Sequence, residues 1–153
     1  MTVMVLVVYL HFLGVVTLFA LLFAQILLFR PDLTQSGQQQ LVALDLAYGA
    51  AATLVLITGL ARVFAGGPGP GHYFGMLAFH FMGAAFLAAA LLSLYPTRIF
   101  LVRRRALRAG RMEPLASATA TRLVRIQYAE LALLLLALWL AVVMARGHQV
   151  GLT

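Results

Sequence analysis

The sequence contains no cysteine and no lysine, and only four of its residues are acidic. Without cysteine, disulfide bonds, thiolate metal ligands and thiol catalysis are all excluded. The formal charge of +7 comes from 11 basic residues, every one of them an arginine. These arginines cluster between apolar stretches, which is typical of the loops of a membrane protein. Nucleic acid is therefore not an expected partner.

Apolar residues dominate what is present. They make up 63% of the chain, and the mean hydropathy is +1.00. A soluble domain has about 45–50% by a similar count, so the lipid bilayer is the expected surrounding of this protein. A length of 153 residues suits one domain, and we expect residues 1–153 to form a single transmembrane domain.

Four stretches are apolar over about 20 residues or more, the length that a helix needs to cross a bilayer core. They cover residues of about 3–29, 41–64, 73–94 and 123–145. Prolines or a Gly/Pro run follow the first three stretches, and a helical extension through Arg105 is expected after the third. The short connections predict antiparallel neighbours. The predicted fold class is an all-α, integral membrane, four-helix up-down bundle.

The arginines also predict orientation. The loop at 98–122 is far more basic than any other, so the positive-inside rule places it in the cytoplasm and both termini outside. The first 24 residues lack a basic leader and a clean cleavage site, so we expect a first span there and no cleaved signal peptide. The predicted location is the bacterial inner membrane, crossed several times.

Ionisable side chains inside membrane spans are costly and often functional. His11 and His80 lie on different predicted spans, each ~8 Å outward of the midplane at 1.5 Å per residue. Two histidines at one depth suit axial ligation of a b-type haem held between helices. Arg62, ~12 Å outward, would then face the haem propionates. The structural alternative is that each histidine hydrogen-bonds a neighbouring helix and that Arg62 reaches the lipid headgroups.

Copper is the alternative cofactor. His72, Met76 and His80 recur at i, i+4 and i+8, which is one face of a continuous helix. Imidazole and thioether ligands together suit copper, although methionine is also an ordinary apolar filler.

Asp45 and Glu130 fall toward the basic end of their spans. We expect them to form ion pairs with Arg122 or Arg125 near the membrane surface. The sharper alternative for the two carboxyl groups is a proton relay.

Several segments resemble an uncharacterised family of small bacterial four-helix membrane proteins. The segments are Tyr9-Leu10-His11-Phe12, Asp45-x-x-Tyr48-Gly49-Ala50-Ala51, Leu56-Ile57-Thr58-Gly59-Leu60-x-Arg62-Val63 and Leu92-Ser93-Leu94-Tyr95-Pro96-Thr97. The resemblance covers nearly the whole chain and implies the four-helix fold, but it implies no activity.

The architecture is also distantly similar to HemJ-type protoporphyrinogen oxidases and to CopD-type copper-resistance proteins. The first likeness implies a haem-associated oxidoreductase in which His11 matches the essential histidine of the first span. The third span departs from that pattern, because Met82 stands where related sequences have a lysine.

The function that we predict is a b-type haem redox protein of the membrane, which transfers electrons or oxidises a lipid-soluble substrate such as a quinol or porphyrinogen. Whether it is an enzyme is left open. One alternative is a copper-handling or transport protein. Another is a non-catalytic subunit or assembly factor of a membrane complex, and a homo-oligomer or a larger assembly is compatible with each prediction.

Overall fold

The computed structural model describes residues 2–30, 34–110 and 116–146, and every element in these ranges is helical. The helices are α1 (Thr2–Leu28), α2 (Gln35–Ala65), α3 (Pro70–Phe74), α4 (Leu77–Arg108) and α5 (Ser117–Ala145). Four of them are long and apolar enough to cross a membrane. The predicted all-α four-helix membrane bundle is thereby confirmed.

The bundle consists of two helical hairpins. Helix α1 packs along α2, and α4 packs along α5, while narrower contacts join α2 to α4 and α1 to α5. Within the described ranges the backbones of α1 and α4 do not approach each other closely, so these two helices occupy opposite corners of the bundle. This arrangement decides which side chains meet across the core.

Side-chain hydrogen bonds join the four long helices toward the end of the bundle where most of the arginines lie. Gln127 in the first half of α5 donates to Gln25 near the end of α1 over 3.2 Å, and Thr97 in the second half of α4 donates to Asp45 on α2 over 3.2 Å. Arg103 also donates to Gln38, at the beginning of α2. We call this the arginine end, and the opposite end, which carries residues 66–71, the glycine end. Which end faces the cytoplasm stays a prediction.

The core face of α1 has polar residues at its two ends and apolar residues between them. His11, Gly14, Leu18, Leu22 and Gln25 follow one another at intervals of three or four residues, which keeps them on one side of the helix. A Cβ atom on Gly14 would lie 3.0 Å from Val55 Cγ2, so the absence of a side chain there lets α1 approach α2 closely.

The middle of the bundle is apolar. One cluster of buried residues draws on all four long helices and comprises Leu18, Leu22, Tyr48, Ala51, Ala89 and Leu134. This cluster separates the polar residues of the glycine end from those of the arginine end. The outer face of α5 exposes Leu135, Leu136, Leu138 and Trp139, as expected for a helix in contact with lipid.

The third span differs from its prediction at its first end. It was expected to begin near Tyr73, but that residue belongs to the separate helix α3, and α4 begins only at Leu77. The helical extension predicted beyond Tyr95-Pro96 through Arg105 is present, because α4 continues through Pro96 to Arg108 as one helix. Proline removes one backbone hydrogen bond, and membrane helices tolerate that loss where neighbouring helices cover it. Pro96 is buried in this way.

Candidate functional site: a histidine site and a polar layer

Polar side chains gather in two places along the core. We call His11, Thr58 and Arg62 the histidine site, which lies toward the glycine end. The second place is called the polar layer, lies toward the arginine end, and comprises Gln25, Asp45, Tyr48, Thr97, Gln127 and Glu130. The apolar cluster lies between the two and shares Tyr48 with the polar layer.

A threonine on α2 fixes the ring of His11. The Nδ1 atom of His11 lies 3.0 Å from Thr58 Oγ1, and this oxygen lies 2.6 Å from the carbonyl oxygen of Leu54. At 2.6 Å the hydroxyl proton must lie between those two oxygens, because a carbonyl can only accept. Thr58 therefore accepts from His11, and Nδ1 carries the ring proton. A neutral His11 with its proton on Nδ1 carries its lone pair on Nε2. The backbone of Val55 is a further hydrogen-bond partner of the ring.

The helix surface beneath the ring is bare. A Cβ atom at Gly59 would lie 3.3 Å from His11 Cε1, closer than most real Cβ contacts. Glycine at this position thus makes room for the imidazole against α2.

Arg62 lies one turn beyond Thr58 on α2. Its guanidinium carbon is 5.7 Å from the centre of the Phe12 ring, next to His11 in sequence. This is a cation–π distance. The structure thus brings together two of the three residues predicted to hold a haem, and both His11 and Arg62 are half-buried.

His80, the third residue predicted to hold a haem, points away from the core of the bundle. The core face of α4 carries Ala85 and Ala89, and at about 100° per residue His80 lies about 140° and about 180° around the helix from them. Its side chain is exposed, and its Nδ1 atom lies 3.1 Å from the carbonyl oxygen of Met76 on the same chain segment. His80 thus lies on the outer side of α4, whereas the His11 ring packs against Thr58 of α2, so the two rings do not face each other across the core.

The copper alternative assumed one continuous helix face, and that premise is wrong. Helix α3 ends at Phe74 and α4 begins at Leu77, so His72 and His80 belong to different helices and Met76 lies between them. His72 is exposed and packs against Tyr73 with 5.6 Å between ring centres. Over the described residues, no three histidine, aspartate or glutamate side chains gather closely enough to hold a metal ion.

The polar layer is buried more deeply than the histidine site. Gln25, Asp45, Gln127 and Glu130 are each 3% exposed or less, which is rare for carboxyl groups without a charged partner. Three helices, α1, α2 and α5, contribute these four side chains, and Thr97 joins them from α4.

Tyr48 connects α2 to α5 across the diagonal of the bundle. Its hydroxyl lies close enough to the carboxyl of Glu130 to serve as its hydrogen-bond donor, and Asp45 is close enough to interact electrostatically with both. Three other buried atoms have no hydrogen-bond partner among the described residues: Gln25 Nε2, Gln127 Oε1 and Glu130 Oε1. Such atoms are uncommon in native cores and each needs a physical explanation.

The ion pairs expected for Asp45 and Glu130 are wrong. In the described part of the chain neither carboxyl meets Arg122 or Arg125, and the bonds of Asp45 and Glu130 are those to Thr97 and Tyr48. Arg125 precedes Glu130 by five residues, which puts it about 140° around the helix at about 100° per residue. Arg125 is accordingly exposed, and Arg122 lies over the ring of Tyr95 at 5.8 Å.

Sequence reasoning did not assign Gln25, Tyr48, Thr97 or Gln127 to a site. For two of them the sequence contains a usable indication of position. Gln25 precedes Arg30 by five residues, and Gln127 follows Arg125 by two. Both uncharged amides therefore lie a short way inside the arginines that mark one membrane surface.

Comparison with known proteins gives one result. Residues 3–149 match the family described as "Predicted membrane protein (DUF2214)". No curated protein and no solved structure matches the chain, so the distant likeness to HemJ-type and CopD-type proteins gains no support. Because the match covers nearly the full length, the chain belongs to the DUF2214 family of predicted membrane proteins.

Proposed function

We propose that this membrane protein is a redox protein that binds a b-type haem through His11. The observation that supports the proposal is the hydrogen bond between His11 Nδ1 and Thr58, because a proton on Nδ1 puts the ligating lone pair on Nε2. Metal-ligating histidines are commonly held in this way, with the second ring nitrogen bonded to a fixed acceptor. This support comes from the hydrogen-bonding state of the imidazole ring, and it applies to His11 more than to any other residue.

The donor set of the histidine site fits a haem. His11 supplies a neutral imidazole nitrogen, and Arg62 supplies a guanidinium that suits a propionate carboxylate. Phe12, beside both, adds an aromatic surface that is open to the lipid. A bound haem would supply one-electron chemistry, and the chain would contribute orientation, axial ligation and an apolar surrounding.

His80 enters the proposal differently. The earlier prediction of two histidine ligands remains untested, but a ring on the outer face of α4 is poorly placed to share an iron with His11 of the same chain. We therefore propose His11 as the ligand that is required, and we treat His80 as a ligand to be decided by experiment.

The deciding experiment is an oxidised-minus-dithionite-reduced absorption spectrum of the protein purified from haem-replete cells. We expect a haem α-band in the wild type that is lost in His11→Ala and kept in the matched control His72→Ala. The spectrum of His80→Ala separates two forms of the site. Loss in both His11→Ala and His80→Ala supports two histidine ligands, and loss in His11→Ala alone supports a single one.

A colourless wild type that stays colourless after incubation with haemin contradicts the proposal, as does a band that is unchanged in His11→Ala. Metal analysis then separates the remaining functions. Bound copper that is lost in Met76→Leu supports copper handling, and the absence of both cofactors supports a subunit or assembly factor of a membrane complex. If haem binds, reduction by added quinol tests electron transfer from a lipid-soluble donor.

A further inference from the structure

The polar layer lies apart from the histidine site and contains Asp45 and Glu130, both 3% exposed or less. A carboxylate in the hydrocarbon region of a membrane carries a large energetic penalty unless a positive charge compensates it. No arginine of the described residues does so for Glu130. The charge on this group must therefore be balanced by something other than a side chain.

The polar groups around Glu130 come from all four long helices. From α2 the facing groups are Asp45 and Tyr48, of which one is acidic and the other is a neutral phenol. From α1 and α4 the polar groups in the layer are Gln25 and Thr97, both uncharged. On α5 itself Arg125 lies on the exposed side. The surroundings of Glu130 thus favour the uncharged form of its carboxyl group.

The unpartnered Oε1 atom of Glu130 offers a place for a proton. Tyr48 is the hydrogen-bond partner of the Glu130 carboxyl, while Oε1 has no partner among the described residues. An ionised carboxyl can only accept hydrogen bonds, whereas a proton on Oε1 makes that oxygen a donor. Gln127, whose Oε1 atom also lacks a donor, lies one turn before Glu130 on the same helix face.

We propose that the polar layer is a proton-binding site, in which Glu130 takes up a proton on Oε1 and releases it again to water at the arginine end. On uptake, an O–H bond forms at Oε1 and one breaks in hydronium. On release, the proton returns to water and Tyr48 continues to donate to the carboxylate. Tyr48 and Gln127 position the carboxyl group, and Asp45, which accepts from Thr97, is the next acid toward α4.

Infrared spectroscopy of the protein in lipid membranes tests this directly, because the neutral and the ionised carboxyl absorb in separate regions. In the wild type minus Glu130→Gln difference spectrum at neutral pH we expect the C=O band of a protonated acid. This band should move to lower frequency in D₂O, since an exchangeable proton becomes a deuteron. The matched control is Glu113→Gln, which changes the only other glutamate of the chain and should leave the band in place.

A second measurement leaves Glu130 itself unchanged, in case Glu130→Gln does not fold. In Glu113→Gln protein labelled with ¹³C-glutamate, Glu130 is the only labelled glutamate, and its band can be read without altering the site. Substituting Tyr48→Phe in that protein should raise the frequency of the C=O band, because one hydrogen bond to the carboxyl is lost.

The proposal is overturned if the label reports an ionised carboxylate, which would indicate a bound cation, or if the C=O band does not respond to D₂O. Neither outcome depends on haem, so a failure here is distinct from a failure of the redox proposal.

Discussion

The Nδ1 atom of His11 on α1 and the hydroxyl oxygen of Thr58 on α2 lie 3.0 Å apart, and Thr58 in turn donates its proton to the carbonyl of Leu54. This pair sets the tautomer of the histidine and fixes the rotation of its ring. The hydroxyl therefore has a role that a residue of the same shape without an oxygen does not supply.

Replacing Thr58 by valine should weaken haem binding without preventing folding. Loss of such an orienting partner typically lowers metal affinity by about 10–100-fold. Titration of apo-protein with haemin measures the effect, and Thr58→Ser, which keeps the hydroxyl, should bind almost as well as the wild type. Equal affinities for the valine and serine variants would mean that the hydrogen bond does not orient a ligand.

Gly59→Ala and Gly49→Ala form a matched pair on α2. Alanine favours a helix over glycine by about 1 kcal/mol, and a Cβ atom at Gly49 meets nothing within 4 Å, so that variant should be more stable than the wild type. At Gly59 the new methyl group comes too close to His11, so the gain in stability should be smaller than at Gly49 or should become a loss. Thermal unfolding in detergent measures both.

The cause of that difference can be checked in a His11→Ala background. With the imidazole gone, Gly59→Ala should gain as much stability as Gly49→Ala. If the deficit persists there, contact with His11 is not its origin.

The hydrogen bond between the side-chain amides of Gln25 and Gln127 connects the two hairpins. The interaction free energy between these two residues can be measured. Gln25→Leu removes the acceptor of the Gln127 amide, and a buried group left unpaired costs about 1–3 kcal/mol. The double variant, Gln25→Leu with Gln127→Leu, should lose less stability than the sum of the two single variants. Double-mutant cycles in membrane proteins average about 0.6 kcal/mol for such bonds. Strict additivity would show that the two amides do not interact.

The orientation of the bundle is testable by cysteine labelling, since the chain has no cysteine of its own. Pro68→Cys reports on the glycine end and Arg108→Cys on the arginine end, and both positions are exposed. In intact cells a membrane-impermeant maleimide should label Pro68→Cys alone, with Arg108→Cys labelled only after permeabilisation. The opposite pattern would reverse the predicted topology.

Hydropathy sufficed to predict the four long helices and their order, because crossing a bilayer imposes a length that the sequence shows directly. Rotation about each helix axis was not accessible in the same way. His80 has the same predicted depth as His11, but it lies on the side of α4 away from Ala85 and Ala89. The depth of a residue in the membrane depends on its position in the span. The direction in which its side chain points depends on which helices pack against its own helix.

The polar layer was hidden for a different reason. Asp45 and Glu130 were noticed because they are ionisable, and nearby arginines suggested partners for them. The helical period puts Glu130 and Arg125 on different sides of α5. The partner of Glu130 is instead Tyr48, which comes from a helix at the opposite corner of the bundle. Contacts between residues 82 positions apart in sequence depend on how the hairpins assemble, which no local pattern encodes.

The two-hairpin construction has a consequence for biosynthesis. The ribosome completes α1 and α2 before it makes α4 and α5, so the first hairpin enters the bilayer with Gln25, Asp45 and Tyr48 still lacking the partners that the second hairpin brings. Unpaired polar groups in lipid raise the free energy of that half-made protein. They also give the second hairpin one favoured docking register, and a chain interrupted after α2 presents polar groups to the lipid that membrane quality control can recognise.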